Sequence, residues 1–290
     1  MRLTCFLLLS ATVACSASSA TFKSGGTNAG GGEGGTSTVD VVSVGAGGFD
    51  PQATSTGSGG EPQASEVYGH SDTTLYRFDP TTKQVAVVGP FTNCSSVLDL
   101  AIDASSNVFA TTFGGLYRID KKSAVCSLVA KGNYPNSLSF VPEGTLLPNA
   151  EALVGYNGSS YVRIDTLTGA VTPVGNLGAG YESSGDVVSV KGGGTYLTVK
   201  GSGCGDCLVE VDPKTGKMTK NWGAVGFGSV FGLAYWAGSA YGFADSGDLF
   251  EIQFGATTVN SVKLPVANAP IGLSFWGAGS TTIAPVDKPL

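Results

Sequence analysis

Five times between residues 75 and 253 the chain writes nearly the same short phrase: Leu75-Tyr-Arg-Phe-Asp79, Leu116-Tyr-Arg-Ile-Asp120, Tyr161-Val-Arg-Ile-Asp165, Leu208-Val-Glu-Val-Asp212 and Leu249-Phe-Glu-Ile-Gln253. The offsets are 41, 45, 47 and 41 residues. Apolar, β-branched and aromatic residues dominate each copy, which reads as a strand packed between neighbouring sheets. A period of ~40–45 residues built from short strands is that of a β-propeller blade.

A second repeat predicts how the ring closes. Phe231-Gly-Leu-Ala-Tyr-Trp236 returns 40 residues later as Ile271-Gly-Leu-Ser-Phe-Trp276. Both read as inner strands, with counterparts at Val97–Asp103, Asn136–Phe140 and Asp186–Val190. The first hairpin, at Leu75, has no inner strand before it, and the last inner strand, at Ile271, has no hairpin after it. Joining the two gives an all-β, five-bladed propeller in which residues 271–276 complete the N-terminal blade and no sheet edge is left open there. Residues 280–285 resemble a spare second strand, which makes six blades the alternative.

The hairpin turns carry their own chemistry. Asp165-Thr-Leu-Thr-Gly169 and Asp212-Pro-Lys-Thr-Gly216 place a carboxylate where it can accept from amides two residues on, and glycine where φ must be positive. Turn stabilisation accounts for these aspartates without a metal.

Three segments follow from composition. Residues 1–14 read as a signal peptide, with Arg2 before an apolar stretch too short to span a bilayer. Thr12-Val-Ala-Cys15 resembles the bacterial lipoprotein signal, in which the cysteine after a small residue is acylated and becomes the mature N-terminus; position 12 is Thr where that family has Leu. The resemblance implies lipidation of Cys15 and anchorage in the bacterial cell envelope, with cleavage near Ala20 and secretion as the alternative. Residues 15–65 are Gly-, Ser- and Thr-rich and predict a disordered linker spanning roughly 40 Å. Residues 66–290 form the propeller.

Charge excludes some partners. The chain has 16 basic and 22 acidic residues. No basic stripe is evident, which argues against nucleic acid and leaves membrane contact to the N-terminal lipid alone. Cys94, Cys126, Cys204 and Cys207 are an even set in an exported domain and favour disulfides. Cys204-Gly-Asp-Cys207 predicts a local bridge, and a Cys94–Cys126 bridge is topologically open.

Catalytic arrangements are sparse. His70 is the only histidine, and no Gly-x-Ser-x-Gly elbow occurs. In the matching strands Val67-Tyr-Gly-His70 and Ala240-Tyr-Gly-Phe243 a Phe replaces the His, which predicts a packing role. The loops entering the inner strands supply a candidate ligand site at the channel rim: Asp99, Asn136, Glu182 and Asp186. Such a rim suits a cation such as calcium, a sugar or a polar peptide.

The Leu-Tyr-Arg-Ile-Asp strand with its Thr-Gly turn resembles repeats in bacterial propellers of the NHL, quinoprotein and lactonase-like kinds. The resemblance covers residues 66–276 and implies fold. Lactonase-like enzymes hold a catalytic divalent cation on the rim, so the resemblance also makes a metal-dependent hydrolase one expectation. The primary expectation is a noncatalytic head, without a required cofactor, that recognises an envelope or extracellular protein or a polar ligand. A glycan-binding lectin is a third; it would repeat the same polar residues in every blade, and these loops differ.

Overall fold

The computed structural model describes residues 66–201, 203–266 and 269–287. The expected signal peptide, the Cys15 anchor and the linker lie outside the described residues.

Strands follow one another as antiparallel neighbours in five four-stranded sheets. Blade one holds β1 (Val67–His70), β2 (Thr74–Asp79) and β3 (Gln84–Pro90). Blade two holds β4 (Val97–Ile102), β5 (Val108–Thr112), β6 (Gly115–Ile119) and β7 (Cys126–Lys131). Blade three holds β8 (Leu138–Val141), β9 (Ala152–Asn157), β10 (Ser160–Ile164) and β11 (Val171–Asn176). Blade four holds β12 (Glu182–Ser189), β13 (Thr195–Gly201), β14 (Cys204–Val211) and β15 (Met218–Ala224). Blade five holds β16 (Val230–Trp236), β17 (Ser239–Ala244), β18 (Leu249–Phe254) and β19 (Val259–Leu264). The C-terminal β20 (Gly277–Ser280) then pairs with β1 and completes blade one. The repeated phrase is the third strand of each blade, and the five-bladed expectation holds.

The closing strand is not the expected one. Ile271 is fully exposed, and residues 271–276 approach the ring as a loop. Trp276 N–H donates to the His70 carbonyl at 2.8 Å, and Gly277, not Gly272, is the residue opposite His70. The inner strand therefore reads Gly-Ala-Gly-Ser, a composition with low strand propensity. Tertiary crowding explains it. A Cβ on Gly279 would sit 2.8 Å from the Leu100 carbonyl oxygen, so the strand fits only because it is almost without side chains.

Residues 281–286 are not a second strand. They cross the end of the ring opposite Trp276 and tie blades together. The Thr281 hydroxyl donates to the Asp103 carbonyl at 3.1 Å, Lys191 N–H to the Thr282 carbonyl at 2.7 Å, and Ala237 N–H to the Pro285 carbonyl at 2.7 Å. The Thr282 hydroxyl also bonds Glu151. Thr281 and Thr282 are fully buried, so the tail plugs the channel at that end.

Where the ring closes, blades one and five meet through edge-to-face aromatic rings. Phe243 lies 6.0 Å from Phe78 and 5.2 Å from Phe275, and Phe275 lies 5.9 Å from Tyr76. Such pairs add about 0.5–1.5 kcal/mol each beyond their buried area. The turn aspartates act as expected: Asp165 Oδ1 accepts from Leu167 and Thr168 N–H, and Asp120 Oδ1 from Lys122 and Ser123 N–H. The positive φ that glycine supplies at 169 and 216 is adopted by Lys83 and Ala124 in blades one and two.

Both disulfides form, Cys94–Cys126 and Cys204–Cys207. The first does not have to cross blade two. The segment after β3 runs beside β7, where Cys126 N–H donates to the Thr92 carbonyl at 2.9 Å, and so brings Cys94 to the outer strand.

Candidate functional site

The five inner strands superpose in register at the channel. Gly232 faces Phe243 and Gly277 faces His70, and the positions matching these glycines in blades two, three and four are Asp99, Ser137 and Asp186. The residue before each makes a second ring: Leu98, Asn136, Gly185, Phe231 and Trp276. These five residues line one cavity of about 190 Å³ at the channel mouth. Each blade contributes the same position, and only Asn136 brings a polar side chain.

This mouth is shaped by backbone irregularity. Register slips in β4 between Val97 and Asp99, in β16 between Val230 and Gly232, and in β12 between Ser183 and Val187. Each slip is a β-bulge that contains a lining residue, and a bulge re-aims the side chain it carries, Leu98 in β4 and Phe231 in β16. Ser96 and Ser229, two residues before Leu98 and Phe231, take positive φ of 54° and 53°. Non-glycine residues in that region carry strain that the surrounding structure must hold.

Beneath the mouth the channel is sealed. Asp99 and Asp186 are fully buried. Asp99 Oδ1 accepts from Leu100 N–H at 2.8 Å and Oδ2 from Leu138 N–H at 2.7 Å. Asp186 Oδ1 accepts from Val187 N–H at 2.6 Å and Leu138 N–H at 3.3 Å, and Oδ2 accepts from Leu233 N–H at 2.8 Å. Burial, then the facing Asp186 carboxylate, pushes Asp99 well above the usual carboxylate range. Burial raises Asp186 as well, opposed by Asp99 and by the Leu233, Val187 and Leu138 amides. Two carboxyls meeting at a shared amide, away from water, retain a proton between them. Asp99 holds it and donates to Asp186.

The glycines complete the seal. A Cβ on Gly277 would lie 2.4 Å from His70 Nε2 and 2.5 Å from Asp99 Oδ1, and one on Gly232 would lie 2.6 Å from the Ala278 nitrogen. His70 Nδ1–H donates to the Ser71 carbonyl at 2.8 Å, leaving Nε2 buried and without a protein partner. Burial lowers the His70 pKa to about 4, so the ring is neutral. Its edge contact with Phe91, centroids 6.0 Å apart, fits the expected packing role.

Of the four rim residues expected from sequence, the structure brings Asp99 and Asp186 together below the mouth and Asn136 into its wall. Glu182 is exposed at the start of β12, opposite Lys200, and does not line the cavity. The mouth is apolar where an acidic rim was expected. Asp99 and Asp186 spend their oxygens on amides and on each other, whereas calcium requires six to eight oxygens. Among the described residues no group of three or more His, Cys, Asp or Glu is placed to hold a metal. Sequence reasoning missed Leu98, Phe231 and Trp276. Their signal was positional: each precedes the Asp or Gly of its inner strand, but pairing Gly232 with Gly272 hid Trp276.

No protein-family model matches the chain, and no characterised protein matches it in sequence. Solved structures do match, at low identity and low TM-score. A gluconolactonase from Xanthomonas campestris is 13% identical over 71% of this chain and 77% of its own, with a TM-score of 0.42. A PQQ-bound aldose sugar dehydrogenase from Streptomyces coelicolor is 13% identical over 68% and 76%, with a TM-score of 0.39. An auxiliary nutrient-binding protein from Bacteroides thetaiotaomicron is 13% identical over 69% of this chain and 57% of its own, with a TM-score of 0.39.

Proposed function

We propose that this chain is a noncatalytic binding head, tethered to the bacterial cell envelope through lipid on Cys15, that receives a ligand in its channel mouth. The observation that carries the reading is the mouth itself: three inner-strand bulges border a cavity that the acid pair seals from below, two of them carrying Leu98 and Phe231 and the third leaving space at Gly185. Strain and bulges gathered at one opening are what a binding site requires and what a ring built only for stability does not.

The lining supports binding without chemistry. None of its five residues is ionisable, and Asp99, Asp186 and His70 beneath it are fully buried. Among the described residues the metal-dependent hydrolase reading finds no donor set to rest on, and a lectin's repeated polar residues are absent from the mouth. Strand β1 starts at Val67 and ends at His70 beside Trp276, so the chain joins the ring at the end away from the mouth.

Two measurements test the reading. Metabolic labelling with palmitate should mark the wild type and not Cys15→Ser, and the variant head should move to the soluble fraction with its melting temperature unchanged. An unlabelled wild type, or a variant that stays with membranes, refutes the anchor. Asn136→Trp, which fills the mouth from an exposed position, should abolish stabilisation by any small molecule that raises the melting temperature. Stabilisation that survives it places the binding site elsewhere.

A further inference from the structure

Size, shape and polarity of the mouth narrow the ligand. Its volume, about 190 Å³, is slightly above the ~150 Å³ of an apolar protein cavity that holds benzene. Two of its five lining side chains are aromatic, Phe231 and Trp276, and both are half-buried with ring surface left uncovered. Leu98 adds an aliphatic wall, and Gly185 leaves the space on its side open. Asn136 is the single side chain there that can both donate and accept a hydrogen bond, and Trp276 adds only its indole N–H as a donor. A sugar ring would bring four or five hydroxyls to a mouth with one amide and one indole N–H and leave most of them desolvated, each at a cost. A charged group would find no partner among the lining residues. Aromatic rings facing Phe231 and Trp276 gain stacking or edge contacts beyond their buried area.

Resting on the binding reading above, we infer that the mouth takes one uncharged six-membered aromatic ring bearing a single hydrogen-bonding substituent. Phenol chemistry meets that description: the ring packs between Leu98, Phe231 and Trp276, and the hydroxyl reaches the Asn136 amide. Such a ring comes either from a free small phenol or from a tyrosine side chain of a peptide, and the two are separable by experiment.

The test is a fluorescence titration of the intact protein, which has three tryptophans; Trp276 lines the mouth. Burying one ring predicts a Kd on the order of 1 mM or tighter for p-cresol, with a change in emission that Trp276→Phe removes. Asn136→Ala should weaken p-cresol about tenfold and toluene not at all, because toluene makes no bond to the amide. Asn136→Trp should eliminate both. N-acetyltyrosinamide binding more tightly than p-cresol identifies a peptide source, and the reverse order a free phenol. If hexanol or methyl glucoside binds in a manner that Asn136→Trp blocks while p-cresol does not, the ring assignment is overturned and the binding reading survives. If p-cresol binds equally to wild type and Asn136→Trp, the mouth is the wrong site. Absence of binding by every probe overturns both.

Discussion

Replacing Asp99 by Asn isolates the shared proton at the floor of the channel. In the folded protein Asp99 is protonated and faces Asp186, both fully buried; unfolded, each releases its proton near pH 4. Above that pH the native state binds more protons than the unfolded state, so stability falls as pH rises, by about 1.4 kcal/mol per unit for one proton. His70 acts with the opposite sign. Its folded pKa lies near 4 against about 6.5 unfolded, so between those values stability rises with pH and offsets the carboxyl slope. The two effects cancel below pH 6.5, where a plateau is expected. From pH 6.5 to 8 only the carboxyl effect remains, and it removes about 2 kcal/mol.

In Asp99→Asn the amide donates to Asp186 as the proton did, and Leu138 N–H can turn to Asp186 Oδ1, already 3.3 Å away. The loss at pH 6.5 should then be about 1 kcal/mol, and above pH 6.5 the part of the slope that Asp99 contributes should vanish. Near pH 8 the variant should become the more stable protein by about 1 kcal/mol. Urea unfolding at half-unit pH steps measures both curves, and their difference cancels contributions from other carboxyls raised by burial, such as Glu151 and Asp206. Parallel curves for wild type and variant would refute the shared proton. Asp186→Asn serves as the contrast. It leaves the buried Leu233 N–H without its acceptor and should cost about 1–3 kcal/mol at every pH.

Gly277→Ala forces a methyl group between His70 and Asp99 and should lower stability by about 1–3 kcal/mol, measured by denaturant unfolding; an unchanged midpoint would show that the inner strands have room. Truncation after Ser280 keeps β20 but removes the plug, so it should fold with reduced stability, whereas truncation after Val266 removes the closing strand and should yield insoluble protein; equal yields of both would refute closure by β20. Removing the Cys94–Cys126 bridge, with a sequence separation of 32, should cost about 4 kcal/mol against about 2 for Cys204–Cys207, with a separation of 3. Paired serine variants compared by chemical unfolding check the order, and the reverse order would count against the loop-entropy account.

Much of the ring was readable because it repeats. The third strand presents Leu75, Leu116, Tyr161, Leu208 and Leu249 at matching places, all fully buried, and a packing need that recurs every blade writes itself into the chain five times. The turn aspartates were legible for a related reason: their bonds reach two or three residues, so the local sequence contains both partners. His70 was placed correctly by comparison with Phe243, since matching strands meet matching surroundings.

The closing strand and the mouth were not readable in this way. Gly277–Ser280 has the composition of a loop and becomes a strand only because β1 and Leu100 lie on either side of it. Asp99 and Asp186 look, in sequence, like rim residues free to bind a cation. Their roles depend on amides at Leu138 and Leu233, 39 and 47 residues away, and no local pattern records a partner at that distance. Sequence alone determined the five blades, their turns and the local Cys204–Cys207 bridge, because those rest on short-range periodicity, on neighbouring residues and on burial that every repeat shares. Tertiary structure decided which strand closes the ring, that the acid pair seals the channel, and that the mouth is apolar, because those depend on how five unlike strands meet on one axis, where each side chain's surroundings come from other blades.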